Sequence, residues 1–232
     1  LEGENAIEKV RKTAGPVIMG SGETIRDTFG DYVVDDDGRV KYFEPAVLIG
    51  SCLDNARATL KLWNRYSKTD GGLLLKAVEV DRRHPNWQQT LVLIKPDNFM
   101  FPNARPGNII DMLSRSGLKI IAAKLHRMSV AQAEEFYGLV RPVLREKMKV
   151  HVGEKTAKLL EHEFHIEIPA DVRKMIEENI GPLVGDEQFY QIIKFMTGCY
   201  PPKCGPSDKA ASGRNKCLAL VYAGPDAVDK IR

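Results

Sequence analysis

Thr90-Leu91-Val92-Leu93-Ile94-Lys95-Pro96-Asp97 is the stretch on which the fold turns. Its unbroken apolar run, Leu91 to Ile94, leaves neither face for water, so it predicts a central strand buried on both sides. Pro96 has no N–H to give and ends the ladder, and Lys95 places an ammonium where the strand leaves the core. On periodicity alone Lys95 reads as a surface lysine closing a strand. A cation fixed at the rim of a buried strand also suits a bound phosphate.

Composition narrows the class. The 232 residues have room for one large domain or two small ones. No run approaches the 18 or so apolar residues of a membrane span, so no membrane partner is read. A net charge of +3 is too small for a nucleic-acid footprint. Four cysteines make no disulfide framework in a chain of this length and fit a reducing, cytoplasmic compartment. Cys199 and Cys204, with Cys217 further on, are loosely spaced and lack a fourth ligand, so no metal site is assigned. Asp35-Asp36-Asp37-Gly38 lies between the apolar stretches 32–34 and 40–43 and predicts a hairpin turn. It has neither the alternating ligands nor the distant Glu of a calcium loop.

The chain also repeats itself. Glu2-Gly3-Glu4-Asn5-Ala6-Ile7-Glu8-Lys9-Val10-Arg11 returns as Ala223-Gly224-Pro225-Asp226-Ala227-Val228-Asp229-Lys230-Ile231-Arg232, with Gly, Ala, Lys and Arg in register. A repeat at this distance predicts duplication of a whole domain, the chain starting late in one copy and stopping in the middle of the next.

The octet at 90–97 resembles the opening strand of the nucleoside diphosphate kinase family, whose Lys-Pro-Asp motif holds nucleotide phosphates. The resemblance continues through Gly117-Leu118-Lys119-Ile120-Ile121-Ala122 and Phe136-Tyr137, and resumes at 189–198 and 218–232. A partial second copy occupies 2–11 and 23–63. The implied division is 1–63 as the C-terminal half of a first copy, 64–89 as a linker, and 90–232 as the N-terminal part of a second. Two insertions are expected in that second copy, at 149–184 and 199–215. The first carries spaced Leu and Ile among Glu and Lys and predicts one or two amphipathic helices. The implied fold is α/β (α+β), a ferredoxin-like antiparallel sheet with helices packed on one face. The strand before the family's histidine would be 46–50 here, lying beside 90–94.

What the resemblance implies for chemistry is uneven. Arg11 and the Arg26 of Thr24-Ile25-Arg26 fit the two arginines directed at the phosphates, whereas Val17 falls where a threonine is expected. Two guanidinium forks suit a triphosphate, through paired charge-assisted bonds. The family's Asn-x-x-His-Gly-Ser-Asp becomes Ala46-Val47-Leu48-Ile49-Gly50-Ser51-Cys52. Ile49 stands at the phosphohistidine position without a lone pair, so no catalytic residue is assigned in this copy. None of His84, His126, His151, His162 and His165 is a shifted match. In the second copy Lys95, Tyr137, Phe189 and Arg232 match nucleotide-binding positions, Phe189 as the ring that stacks on the base.

The implied activity is phosphoryl transfer from a nucleoside triphosphate to a nucleoside diphosphate through a phosphohistidine, with Mg²⁺ accompanying ATP or another triphosphate. The implied partners are nucleoside di- and triphosphates, with an oligomer possible, and a chain of this arrangement would be inactive alone. The rival reading is a catalytically silent module of the same fold that binds nucleotide or protein.

Overall fold

The computed structural model describes residues 3–16, 23–67 and 83–232. Two compact units divide the chain, Leu1–Gly72 and Leu73–Arg232.

In the first unit, helix α1 (Ala6–Ala14) starts after Asn5, which takes the left-handed conformation (φ 52°, ψ 33°). Thr24 caps the short α2 (Ile25–Phe29), its Oγ1 accepting the Asp27 N–H at 3.3 Å. Strands β1 (Asp31–Val34) and β2 (Val40–Glu44) form the expected antiparallel hairpin. Asp35 closes its turn, Oδ1 accepting the N–H groups of Asp37 and Arg39 at 3.0 and 2.8 Å. Helix α3 (Leu53–Ser67) is the last described element of the unit and runs past residue 63 into the expected linker.

Two expectations fail in this unit. Residues 46–50 form no strand. Ala56, Leu60 and Trp63 are spaced in the sequence for one buried helix face, yet Leu60 and Trp63 of α3 are 69% and 68% exposed. The physical reason is size: a two-stranded ribbon has too little surface to cover such a face. Val17, and the leucines at 73–75 that read as a short strand or docking segment, lie outside the described residues.

The first described element of the second unit is β3 (Trp87–Ile94), and a 3₁₀ turn at Pro96–Phe99 leads to α4 (Arg105–Ser114) and β4 (Lys119–His126). Helix α5 (Val130–Phe136) begins on a capping box: Ser129 Oγ accepts the Gln132 N–H and Gln132 Oε1 accepts the Ser129 N–H, both at 3.1 Å. Two long helices follow, α6 (Val140–Phe164) and α7 (Ala170–Thr197), then α8 (Pro206–Ala210), β5 (Cys217–Pro225) and α9 (Ala227–Ile231).

The sheet order is β3-β5-β4 with β5 antiparallel to both neighbours. β3 and β4 are therefore parallel and split around β5, the ferredoxin-like connection. The central strand is β5, not β3 as the sequence suggested, and Leu91 of the edge strand is 48% exposed. Leu218, Leu220 and Tyr222 of β5 join Val92 and Ile94 on one face, covered by Ile109, Ile110 and Leu113 of α4 and Ile231 of α9. Toward the start of β5, Cys217 and Leu93 meet Val130 and Ala133 of α5 and Phe189, Ile193 and Met196 of α7 on the other. Helices thus pack on both faces, where one was expected. Each fully buried side chain such as Ile193 contributes about 1.5–3 kcal/mol.

The insertion expected at 149–184 is the outer part of an α6–α7 hairpin whose helices approach very closely. A Cβ on Gly181 would lie 2.5 Å from Lys149 Cα, and one on Gly185 2.6 Å from Arg145 Cα. Glycine at these positions lets backbone meet backbone, as at small-residue helix crossings.

Candidate functional site

In the first unit, sequence-distant residues meet around one cavity of about 630 Å³. α1 supplies Glu8, Arg11 and Lys12, the N-terminal end of α2 with its cap supplies Arg26 and Thr24, and the segment before α3 supplies Ile49 and Ser51. Arg26 is only 7% exposed, and its guanidinium is occupied with backbone. Nη1 donates to Gly15 O at 2.7 Å, while Nε and Nη2 donate to Val47 O at 3.3 and 3.2 Å. Arg26 therefore ties the two loops that shape the cavity. Arg11 is exposed, and its bond from Nη1 to Ser51 O is long at 3.3 Å. Its charge is the more available to an anion.

Arg11, Arg26 and Ile49 were all legible from the sequence, and the fold brings them together. Lys12 was not singled out, although its place beside Arg11 was the available signal. Ile49 is half-buried at the cavity wall and offers neither lone pair nor proton. Beside it, Cys52 is exposed at the start of α3. Backbone N–H bonds from Asn55 and Asp54 hold its thiol below the usual range, with the Arg11 charge adding to the effect.

In the second unit Lys95 is exposed, and its carbonyl accepts the Asn98 N–H and Nδ2–H at 3.2 and 3.1 Å, fixing the end of β3. Tyr137 follows α5 and packs edge-on against Phe136 at 4.9 Å. Burial pushes its hydroxyl pKa up, and neighbouring Cys217 adds to the shift. Tyr137, Phe189 and Leu93, two residues before Lys95, pack in one cluster. Arg232 ends α9, whose Ile231 belongs to the cluster on the opposite face, so the fold does not group it with Phe189.

Phe189 departs most from expectation. It is 2% exposed, inside the cluster, and its ring carries the Arg141 guanidinium 5.5 Å from the ring centre. The open stacking face implied by the sequence is covered. Phe189 and Arg141 line a cleft of about 460 Å³ together with Glu134, Tyr190, Pro201 and Lys209. Nothing in the sequence marked Arg141, because its partners lie 45 or more residues away on α7. None of the five histidines lines either cavity. Among the described residues no group of three or more His, Cys, Asp or Glu side chains is placed to hold a metal ion. No described helix is long and apolar enough to cross a membrane.

A model of the nucleoside diphosphate kinase family matches residues 88–149. That span contains Lys95 and Tyr137, while Arg11, Arg26, Ile49, Phe189 and Arg232 lie outside it. The nucleoside diphosphate kinase of Staphylothermus marinus is 38% identical over 105 residues, covering 44% of this chain and 68% of the relative. That of Anaplasma phagocytophilum is 35% identical over 88 residues, 37% of this chain and 61% of the relative. An NDP kinase structure from Pyrobaculum aerophilum aligns with 62% of this chain and 63% of its own, at 23% identity and a TM-score of 0.33. The chain thus spans between three fifths and about two thirds of the length of these two curated relatives. With more than two thirds of the Staphylothermus marinus enzyme matched at 38% identity, the chain belongs to the nucleoside diphosphate kinase family.

Proposed function

We propose that the protein is a nucleoside diphosphate kinase in which the first unit is a nucleotide-phosphate cleft without a nucleophile. The observation that carries this reading is the convergence of Arg11, Lys12 and Arg26 with Ile49 and Ser51 around one cavity. Among the described residues, three cations and one carboxylate, Glu8, line the cavity, a balance that suits a polyphosphate chain. Mg²⁺ would enter as part of the Mg·NTP substrate, held by phosphate oxygens and water.

In the reaction, histidine nitrogen attacks the γ-phosphorus and the bond to the leaving diphosphate breaks. The phosphoryl group then passes to an acceptor diphosphate, regenerating histidine. Positioning and charge stabilisation dominate such a transfer. Ile49 can do none of it. The transferring histidine would belong to an Asn-x-x-His-Gly-Ser stretch that these 232 residues do not contain. In this reading 1–63 is part of one copy and 90–232 part of another. Support comes from the repeated segment: Gly3 and Gly224 have φ of 159° and 158°, Asn5 and Asp226 have φ of 52° and 54°, and a helix follows each.

Calorimetric titration with Mg·ATP tests the cleft. Arg11→Ala is expected to weaken binding about tenfold or more, a charge-assisted bond's worth. Unchanged affinity would refute the assignment. A second reading, a silent binding module throughout, is favoured by Ile49 and by the occupation of Arg26's donors with backbone. A coupled assay of NTP-to-NDP transfer separates the two on the whole protein.

A further inference from the structure

We propose that Arg141 takes the place of a nucleotide base on Phe189, so that the second unit reads a polyphosphate chain and gains nothing from the base. The inference rests on the nucleotide reading of Lys95 and Tyr137 given above. A guanidinium is planar and weakly hydrated, and it stacks on an aromatic face much as a base does. Here it lies 5.5 Å from the Phe189 ring centre and 5.6 Å from that of Tyr190. It is also pinned. Nε and Nη2 donate to the two Asp186 oxygens at 2.8 and 3.0 Å, and Nη2 donates to Tyr190 Oη at 3.2 Å. Asp186 is 15% exposed, which limits how far water can compete for these bonds.

The pin has a second member. Arg145 donates Nε and Nη2 to the same two oxygens at 2.6 and 2.5 Å. It holds the carboxylate in place, and it would still satisfy Asp186 if Arg141 were removed. Gly185, which lets the α6 backbone approach α7 at Arg145, sets the spacing of this arrangement. Nearby, Lys209 Nζ is taken up by Glu134 at 2.9 and 3.1 Å, so the cleft's other cation is also committed. A base reaching for Phe189 meets a bound guanidinium and not an open ring.

The test uses the whole 232-residue chain carrying Arg11→Ala, which weakens the first cleft about tenfold or more, titrated with Mg·ATP and with inorganic tripolyphosphate. The inference predicts equal affinity for the two ligands, both weakened by Lys95→Ala. It predicts that Arg141→Ala then raises ATP affinity about five- to a hundredfold, the range for stacking one base, with tripolyphosphate unchanged. If Arg141→Ala does not fold, Arg141→Gln removes the charge and shortens the side chain with less loss of packing. An ATP-to-tripolyphosphate ratio that stays at one in the Arg141 variants overturns the inference and leaves the nucleotide reading standing. So does equal weakening of both ligands, which would make Arg141 a phosphate contact. A parent chain that already prefers ATP, and loses the preference in Phe189→Leu, overturns it as well. Absence of binding by either ligand, with Lys95→Ala without effect, overturns the nucleotide reading of this unit and the inference with it.

Discussion

Adding one methyl group at Gly185 separates the helix-packing account from simple propensity. Ala is the better helix former by about 0.8–1 kcal/mol, so propensity alone makes Gly185→Ala stabilising. The structure says the opposite. The new Cβ would lie 2.6 Å from Arg145 Cα, 2.7 Å from Arg145 N and 2.9 Å from Leu144 C, all backbone atoms that cannot rotate away. Ordinary carbon contacts begin near 3.5 Å, so α6 and α7 must part by about an ångström. Overpacking of this kind costs about 1–3 kcal/mol, and the parted helices lose contacts as well. The net expectation is destabilisation of about 1–2 kcal/mol. Gly107 in α4 is the control: nothing lies within 4 Å of its added Cβ, so Gly107→Ala is neutral or stabilising by up to about 1 kcal/mol. Urea denaturation followed by circular dichroism measures both. Should Gly185→Ala shift the midpoint upward as Gly107→Ala does, the close approach of α6 and α7 is wrong.

Three further outcomes follow from local geometry. Ser129→Ala removes the cap of α5 at a buried position and is expected to cost about 0.5–2 kcal/mol in the same urea assay; Ser129→Asp, which can still cap, should lose less. Two guanidinium groups hold the Asp186 carboxyl below the usual range, so its contribution is fully present above the unfolded value of about 3.9 and is lost as pH falls through the lower folded value. The stability gap between the parent chain and Asp186→Asn should therefore be flat from pH 7 to about 4 and shrink only below that; a gap that closes near neutrality would contradict the pairing. Cys52, exposed with its thiol pKa lowered by backbone N–H bonds, should be alkylated by iodoacetamide well before the buried Cys217, whose thiol burial pushes up; peptide mass spectrometry reads the order, and simultaneous labelling would count against both environments.

Features encoded by near neighbours were legible in the chain. Ser129 with Gln132 three residues on spells a capping box, Asp35–Gly38 a turn, and Ala6, Ile7 and Val10 one face of a short helix; each depends on residues within four positions, and each forms. Arg11, Arg26 and Ile49 were singled out only by the resemblance to the family's motifs, and the first unit gathers them. Burial was harder to read. Leu91 to Ile94 looked central because all four are apolar, yet strand order depends on β5, more than 120 residues later. Leu60 and Trp63 are spaced for a buried face, but periodicity does not say whether a partner surface exists. Phe189 failed for the same reason: only the packing of α6 on α7 brings Arg141 over its ring.

The most direct measurement of the central claim is incubation of the 232-residue chain with γ-labelled ATP and Mg²⁺, followed by acid and base treatment of the labelled protein. If Ile49 holds the nucleophile position, as proposed, then with no histidine lining either cavity no acid-labile, base-stable label should accumulate, while ATP binding remains measurable and sensitive to Arg11→Ala. Stoichiometric acid-labile label on a histidine of this chain would show that a nucleophile is present and that the account of the site is wrong.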